Sequence, residues 1–168
     1  MKRCIIDPEH SEVRISGSSS VHPIHAAATG LEGWLEVAEA PTATGGSSPL
    51  AGEVRIEVER LRSGNSLVDR ETRRRIDASR FPEIVGTVES ARQTGSDRFA
   101  VVGTVAFRGE THQVDGELTV STRGDAIVIE GSQTFDVRDW GLEPPRLALL
   151  KVHPEVDVVI RLEARPEA

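Results

Sequence analysis

Apolar and polar residues alternate along much of the chain. In EVRIEVE at residues 53–59, Val54, Ile56 and Val58 fall on one side and the Glu and Arg residues between them on the other. The same alternation returns in EVRIS (12–16), VDGELTV (114–120), AIVIE (126–130) and EVDVVIRLE (155–163). A period of two marks strands that place one face on a core and one in water. The pattern predicts strands at 12–20, 31–37, 53–61, 83–91, 98–107, 111–122, 126–137 and 155–163, with Gly109 in the turn between 98–107 and 111–122.

The period changes after Asn65. Residues 66–76 place Leu67 or Val68, Thr72 and Ile76 at helical spacing. Ser66 and Asp69 suit a first turn, and the arginines lie toward the C-terminal end, where the helix dipole favours cations. Phe81-Pro82 ends the helix, because the residue before proline is pushed out of helical geometry. PTATGGSSPLAG (41–52) reads as a loop. Pro144-Pro145 breaks the segment 141–150, which is expected to cross the end or edge of the fold.

Seven or eight strands without alternating helices predict one mainly β domain over residues 1–168, an antiparallel sandwich or barrel. An up-and-down barrel of about eight strands with one short helix is preferred, since closure removes exposed edges. At that size the interior is either filled by side chains or holds one small ligand, and periodicity leaves both open.

Composition removes several classes of function. The chain has 168 residues, a formal charge of −7, four Phe, two Trp and no Tyr. Binding to nucleic acid is disfavoured, because base stacking needs exposed rings and a basic surface. The acidity also opposes general adhesion to anionic membranes. Transient membrane contact stays open through Arg70, Arg73, Arg74 and Arg75, which otherwise read as a solvated helix face. Cys4 is the only cysteine, so neither an intramolecular disulfide nor a cysteine-rich zinc site is available. The opening MKRCIIDPEH has too short an apolar stretch for a signal peptide, and no run of about 20 apolar residues exists, so a soluble, cytoplasmic protein is expected.

Candidate chemistry is sparse. His22 and His25 flank Pro23-Ile24 in a segment that reads as extended, where positions three apart face opposite sides. A metal site needs three or four ligands, and none is expected here. Glu110 with His112, and Asp136 with Arg138, each share a strand face, and His10-Ser11 lacks a third member. No nucleophile elbow, zinc-binding HExxH or phosphate-binding glycine loop is present. No catalytic residue and no cofactor is expected.

Asp7-Pro8-Glu9-His10-Ser11 followed by Val13 is similar to the opening of the YceI-like family. Asn65, Asp69-Arg70 and the run from Ile76 to Phe81-Pro82-Glu83-Ile84 are similar to its helical excursion and return. Val102-Gly103 with Phe107-Arg108-Gly109-Glu110-Thr111 resembles its turn, and Phe135-Asp136-Val137-Arg138-Asp139-Trp140-Gly141 its penultimate motif. The resemblance spans nearly the whole chain and implies an antiparallel lipocalin-like up-and-down barrel that binds a polyisoprenoid or other long apolar lipid, without catalysis. Residues 17–30, GSSSVHPIHAAATG, depart from the family pattern by being shorter and more polar.

The inward set expected to meet such a ligand is Val13, Ile15, Val54, Ile56, Val58, Phe99, Val101, Val105, Phe107, Leu118, Val120, Ile127, Ile129, Phe135, Val158 and Ile160, with His22, His25 and Arg138 at the rim. An aliphatic wall suits a chain that demands apolar area and little direction. Two alternatives stand beside it: an enzyme acting on an apolar substrate with His112 or His22 as base, and a filled-barrel structural or stress-response protein. Homodimerisation is left open.

Overall fold

The computed structural model describes residues 2–20, 23–37, 51–142, 146–147 and 150–167. Its strands are β1 (Lys2–Ile6), β2 (Glu12–Ser19), β3 (Pro23–Thr29), β4 (Glu32–Val37), β5 (Ala51–Glu57), β6 (Glu83–Gln93), β7 (Arg98–Phe107), β8 (Glu110–Arg123), β9 (Ala126–Asp136), β10 (Arg146–Leu147) and β11 (Leu150–Pro166). One α-helix, α1 (Ser66–Ile76), lies between β5 and β6.

β1 and β2 lie end to end along one edge of β11, with Cys4 opposite Pro166 and Val13 opposite Ile160. β3 and β4 also lie end to end, β3 against β2 and β4 against β1. Each of these pairs acts as one long strand. The ring then runs through β5, β6, β7, β8, β9 and β11 and closes on β1 and β2, an eight-stranded antiparallel barrel.

The break between β1 and β2 has a local cause. Pro8–His10 forms a 3-10 turn capped by Asp7, whose carboxylate accepts from the Glu9 N–H at 3.1 Å and from His10 Nδ1 at 2.8 Å. The His10 hydrogen bond is the main cause of the lowered Asp7 pKa. Ser11 accepts from the Glu163 N–H through its Oγ, which leaves the His10-Ser11 pair structural.

The helix has the predicted bounds, and its cap is Asn65, one residue ahead of Ser66. Asn65 Oδ1 accepts from the N–H groups of Leu67 and Val68. Its C-terminus is set by Asp77, at φ 61°, before Phe81-Pro82 is reached. Val68 and Ile76 are buried and Leu67 is exposed, so of the two alternatives at the first helical position Val68 faces the core.

Four strand expectations need correction. β1 and β3 escaped the alternation, because one is five residues long and the other is built on Ala26, Ala27 and Ala28. The strand expected to run to residue 61 ends at Glu57, because Val58–Arg60 turns into a 3-10 segment whose Val58 N–H donates to the Pro82 carbonyl. Ala51 and Gly52 belong to β5. A side chain at Gly52 would meet Leu35 Cδ2 at 2.7 Å, so the glycine serves close strand approach here. The rest of the expected 41–52 loop, His22 and Pro144-Pro145 lie outside the described residues. At the β7–β8 hairpin, Arg108 and Gly109 both have positive φ (52° and 76°), the conformation a tight two-residue turn requires.

The core sits toward one end. Cys4, Ile6, Leu31, Leu35 and Ala164 pack there with Val13, Ile129 and Leu162, and Val120 and Ile127 join them. A second cluster of Val58, Ile76, Ala78 and Leu142, with Phe107 and Val137 against it, seats the C-terminal half of α1 on the opposite end. No helix among the described residues is long and apolar enough to cross a membrane.

Candidate binding cavity

Between the packed end and α1 lies a cavity of about 420 Å³. Thirteen of the sixteen residues in the expected inward set line it. Val13 and Ile15 come from β2, and Val54 and Ile56 from β5, with Val58 just beyond. Val101, Val105 and Phe107 come from β7, Leu118 from β8, Ile129 and Phe135 from β9, and Val158 and Ile160 from β11.

Phe99, Val120 and Ile127 are not part of the lining. They have the inward phase, yet stand beyond the cavity floor, where Val120 and Ile127 pack into the core. Alternation identifies the face and says nothing of height along the barrel.

The two described rim candidates also lie elsewhere. His25 is exposed on β3, between the lining residues Ile24 and Ala26, and its Nδ1 meets Ser16 Oγ at 3.0 Å. Alternation sends it outward. Arg138 is exposed and its guanidinium holds Asp136 at 2.7 Å, which lowers the Asp136 pKa.

His112 lies behind Trp140, edge-on at 5.1 Å between ring centroids, and is not in the lining. Its Nε2 is buried without a partner. Trp140 pins the turn Val137–Trp140 to the barrel by donating from Nε1 to the Val105 carbonyl at 3.1 Å.

Several lining residues escaped the sequence reading. α1 contributes Val68, Thr72, Arg73 and Ile76, the face that helical spacing marks. β6 contributes Ile84 and Val88, whose alternation in EIVGTVES was legible. The most informative signal is glycine. Gly17, Gly86, Gly103, Gly116 and Gly131 all stand in the inward phase, and all border the cavity. At Gly17 an added Cβ would meet only Val156 Cγ1, at 3.6 Å, so that position is open, whereas at Gly131 it would meet Leu118 Cδ2 at 2.5 Å and at Gly103 the Thr87 carbonyl, where the glycine admits a close neighbour.

Polar groups are few and positioned. On β9, Gln133 donates from Nε2 to the Asp115 carbonyl at 2.9 Å, across the strand pair. At the α1 end, His153 Nδ1 meets Ser18 Oγ at 2.9 Å, and neither His153 nor His25 has an acidic partner among the described residues. Ser63 donates its N–H and Oγ to Asp69, at 3.0 and 2.7 Å, so one carboxylate oxygen is held by the loop entering α1. Among the described residues no group of three His, Cys, Asp or Glu side chains comes together as a metal-binding set. The chamber offers apolar area with little directional chemistry.

The architecture has known counterparts. BcnA of Burkholderia cenocepacia superimposes with a TM-score of 0.80 at 16% identity, over 94% of this chain and 98% of BcnA. A polyisoprenoid binding domain from Saccharophagus degradans matches with a TM-score of 0.79 at 17% identity, over 99% of this chain and 100% of that one. The YceI protein of Campylobacter jejuni matches at 0.62 and 11% identity, over 80% of this chain and 82% of that one. At these identities the likeness shows the fold. No curated protein matches the sequence. The family model for the YceI-like domain matches residues 5–164, and the chain belongs to that family.

Proposed function

We propose that the protein binds a long apolar chain, of the polyisoprenoid class, inside the barrel and does so by burial without catalysis. The observation that carries this reading is the cavity itself, about 420 Å³ and walled by aliphatic side chains from nine strands and α1. Its volume falls within the roughly 300–1,000 Å³ of small-molecule sites. Burial of apolar area is worth about 25 cal/mol per Å², so a flexible hydrocarbon gains affinity there without hydrogen bonds. The name of the Saccharophagus degradans domain, a polyisoprenoid binding domain, supports the same class of ligand.

In this reading Val13, Ile15, Val105, Leu118, Ile129 and Val158 touch the chain, and Ala26 on β3 lines the chamber with a small side chain. Polar groups at the α1 end, among them His153, face its terminus.

Mass spectrometry of an apolar extract from the purified protein tests the proposal, together with titration by a polyprenyl alcohol. A copurified isoprenoid, or saturable uptake that Ala26→Phe abolishes, is the expected result. Protein that carries no lipid and takes up none overturns it.

A further inference from the structure

The two sides of α1 face different surroundings. Val68, Thr72 and Ile76 line the cavity. Ser66, Leu67, Arg70 and Arg74, spaced along the helix turns, form an exposed stripe on the other side. Leu67 is 59% exposed, and among the described residues the other exposed large hydrophobics, Ile5 and Val159, stand on the barrel wall in β1 and β11. Arg70 makes no ion pair among the described residues, and Glu71 meets both Arg74 and Arg75, so that trio keeps a positive charge.

Charge is divided in the same way. Residues 62–80 carry six arginines against Asp69, Glu71 and Asp77, a net +3, so the rest of a chain of formal charge −7 carries −10. Arg62, Arg70, Arg74 and Arg80 are exposed.

We propose that the outer face of α1 docks on an anionic lipid bilayer, with Leu67 entering the headgroup layer and the exposed arginines meeting the surface charge. Each arginine near such a surface strengthens binding about fivefold. Helices that lie in a bilayer interface combine cations with apolar side chains in this manner. A protein partner fits less well, because a stable protein interface needs an apolar centre, and Leu67 is the one exposed large hydrophobic of α1. The acidic remainder of the chain does not cancel the attraction. Asp125 follows the far end of the 14-residue β8 and stands several times the Debye length of about 8 Å from α1. The division of charge instead orients the molecule with α1 toward the lipid, which sets the cavity about 10 Å, one helix diameter, from the bilayer.

Co-sedimentation of the intact chain with vesicles tests docking. Vesicles of phosphatidylcholine mixed equally with phosphatidylglycerol should bind at least about tenfold more tightly than phosphatidylcholine alone, and about 0.5 M salt should remove the preference. Arg70→Gln should weaken binding to the anionic vesicles about fivefold, and Leu67→Gln should weaken it without altering its salt dependence. The contact is located by a solvatochromic dye on Leu67→Cys, and Cys4, at 0% exposure, does not compete for the label. Emission should shift to the blue with anionic vesicles, while the same dye on Val159→Cys should not respond.

Equal binding to both vesicles, or none to the anionic ones, overturns the proposal. A blue shift at Val159 in place of Leu67 also overturns it, by moving the contact to the barrel wall. So does soluble polyglutamate that binds as tightly as the anionic vesicles, which marks the face for an acidic polypeptide. No arm uses a ligand in the barrel, so these outcomes leave the cavity reading untouched.

Discussion

The two ends of the barrel share the same strands and differ in the size of what those strands point inward. At one end β8 and β9 present Val120, Ile127 and Ile129, and Cys4 and Ala164 are 0% exposed. Further along, toward α1, the same two strands present Gly116, Gly131 and Gln133, and the space opens. β2 does likewise, passing from Val13 and Ile15 to Gly17. Alternation therefore decides which face is inside, while side-chain volume at each inward position decides whether the inside is full. One barrel realises both outcomes that its strand number allows.

Truncation should separate the ends most sharply. Leu31 is 1% exposed within the packed cluster, and Leu31→Ala should cost about 2–5 kcal/mol, the transfer term plus a new void. Val114 borders space that is already empty, so Val114→Ala should cost under about 1.5 kcal/mol, with little further cavity term. Chemical denaturation of both variants measures the difference, and equal costs would erase the distinction between the ends.

Filling is the converse experiment. An added Cβ at Gly17 would meet only Val156 Cγ1, at 3.6 Å, an ordinary contact. Gly17→Val should leave stability unchanged or raise it by about 0.5–1 kcal/mol, since glycine weakens a strand interior. It should lower affinity for a polyprenyl chain about tenfold, equivalent to about 1.4 kcal/mol. Unaltered affinity would place the chain elsewhere than the hollow end.

What could be read in advance follows from this division. The barrel, the bounds of α1 and most of the wall were legible, because residues such as Val54, Ile56 and Leu118 alternate with charged or polar neighbours. β3 was not legible: its three consecutive alanines carry no period, and only pairing with β2 makes them a strand. His25 was placed at the rim for the same reason, since without a phase for β3 nothing said that it points outward. Which guanidiniums Glu71 captures was not legible either, because several pairings are sterically open along one helix. The inward glycines were the overlooked signal, present in phase at Gly86, Gly116 and Gly131.

Smaller effects should be confined to the α1 end. Asn65 supplies the cap that starts the helix, and Asn65→Ala should cost about 1 kcal/mol. If α1 covers the cavity as a unit, amide exchange in the helix should speed up while β9 and β11 keep their protection. A uniform loss of protection would mean that the two ends do not open separately.

The weakest expected effect comes from acid, and its sign is determined. The guanidinium of Arg74, and after it that of Arg75, hold the Glu71 carboxyl down to about 2, well below the ordinary carboxylate value. A carboxyl whose folded value is depressed favours the folded state above its ordinary value and loses that contribution as pH falls toward the folded value. The window is therefore from about 4.5 down to about 2, with no change expected above it. Across it α1 should exchange its amides progressively faster, and Glu71→Gln should remove that pH dependence. Because the arginine partners are in water, about 1 M salt should shrink the effect. An NMR titration giving Glu71 an ordinary carboxylate value would remove the ion pairs that Arg74 and Arg75 make with it.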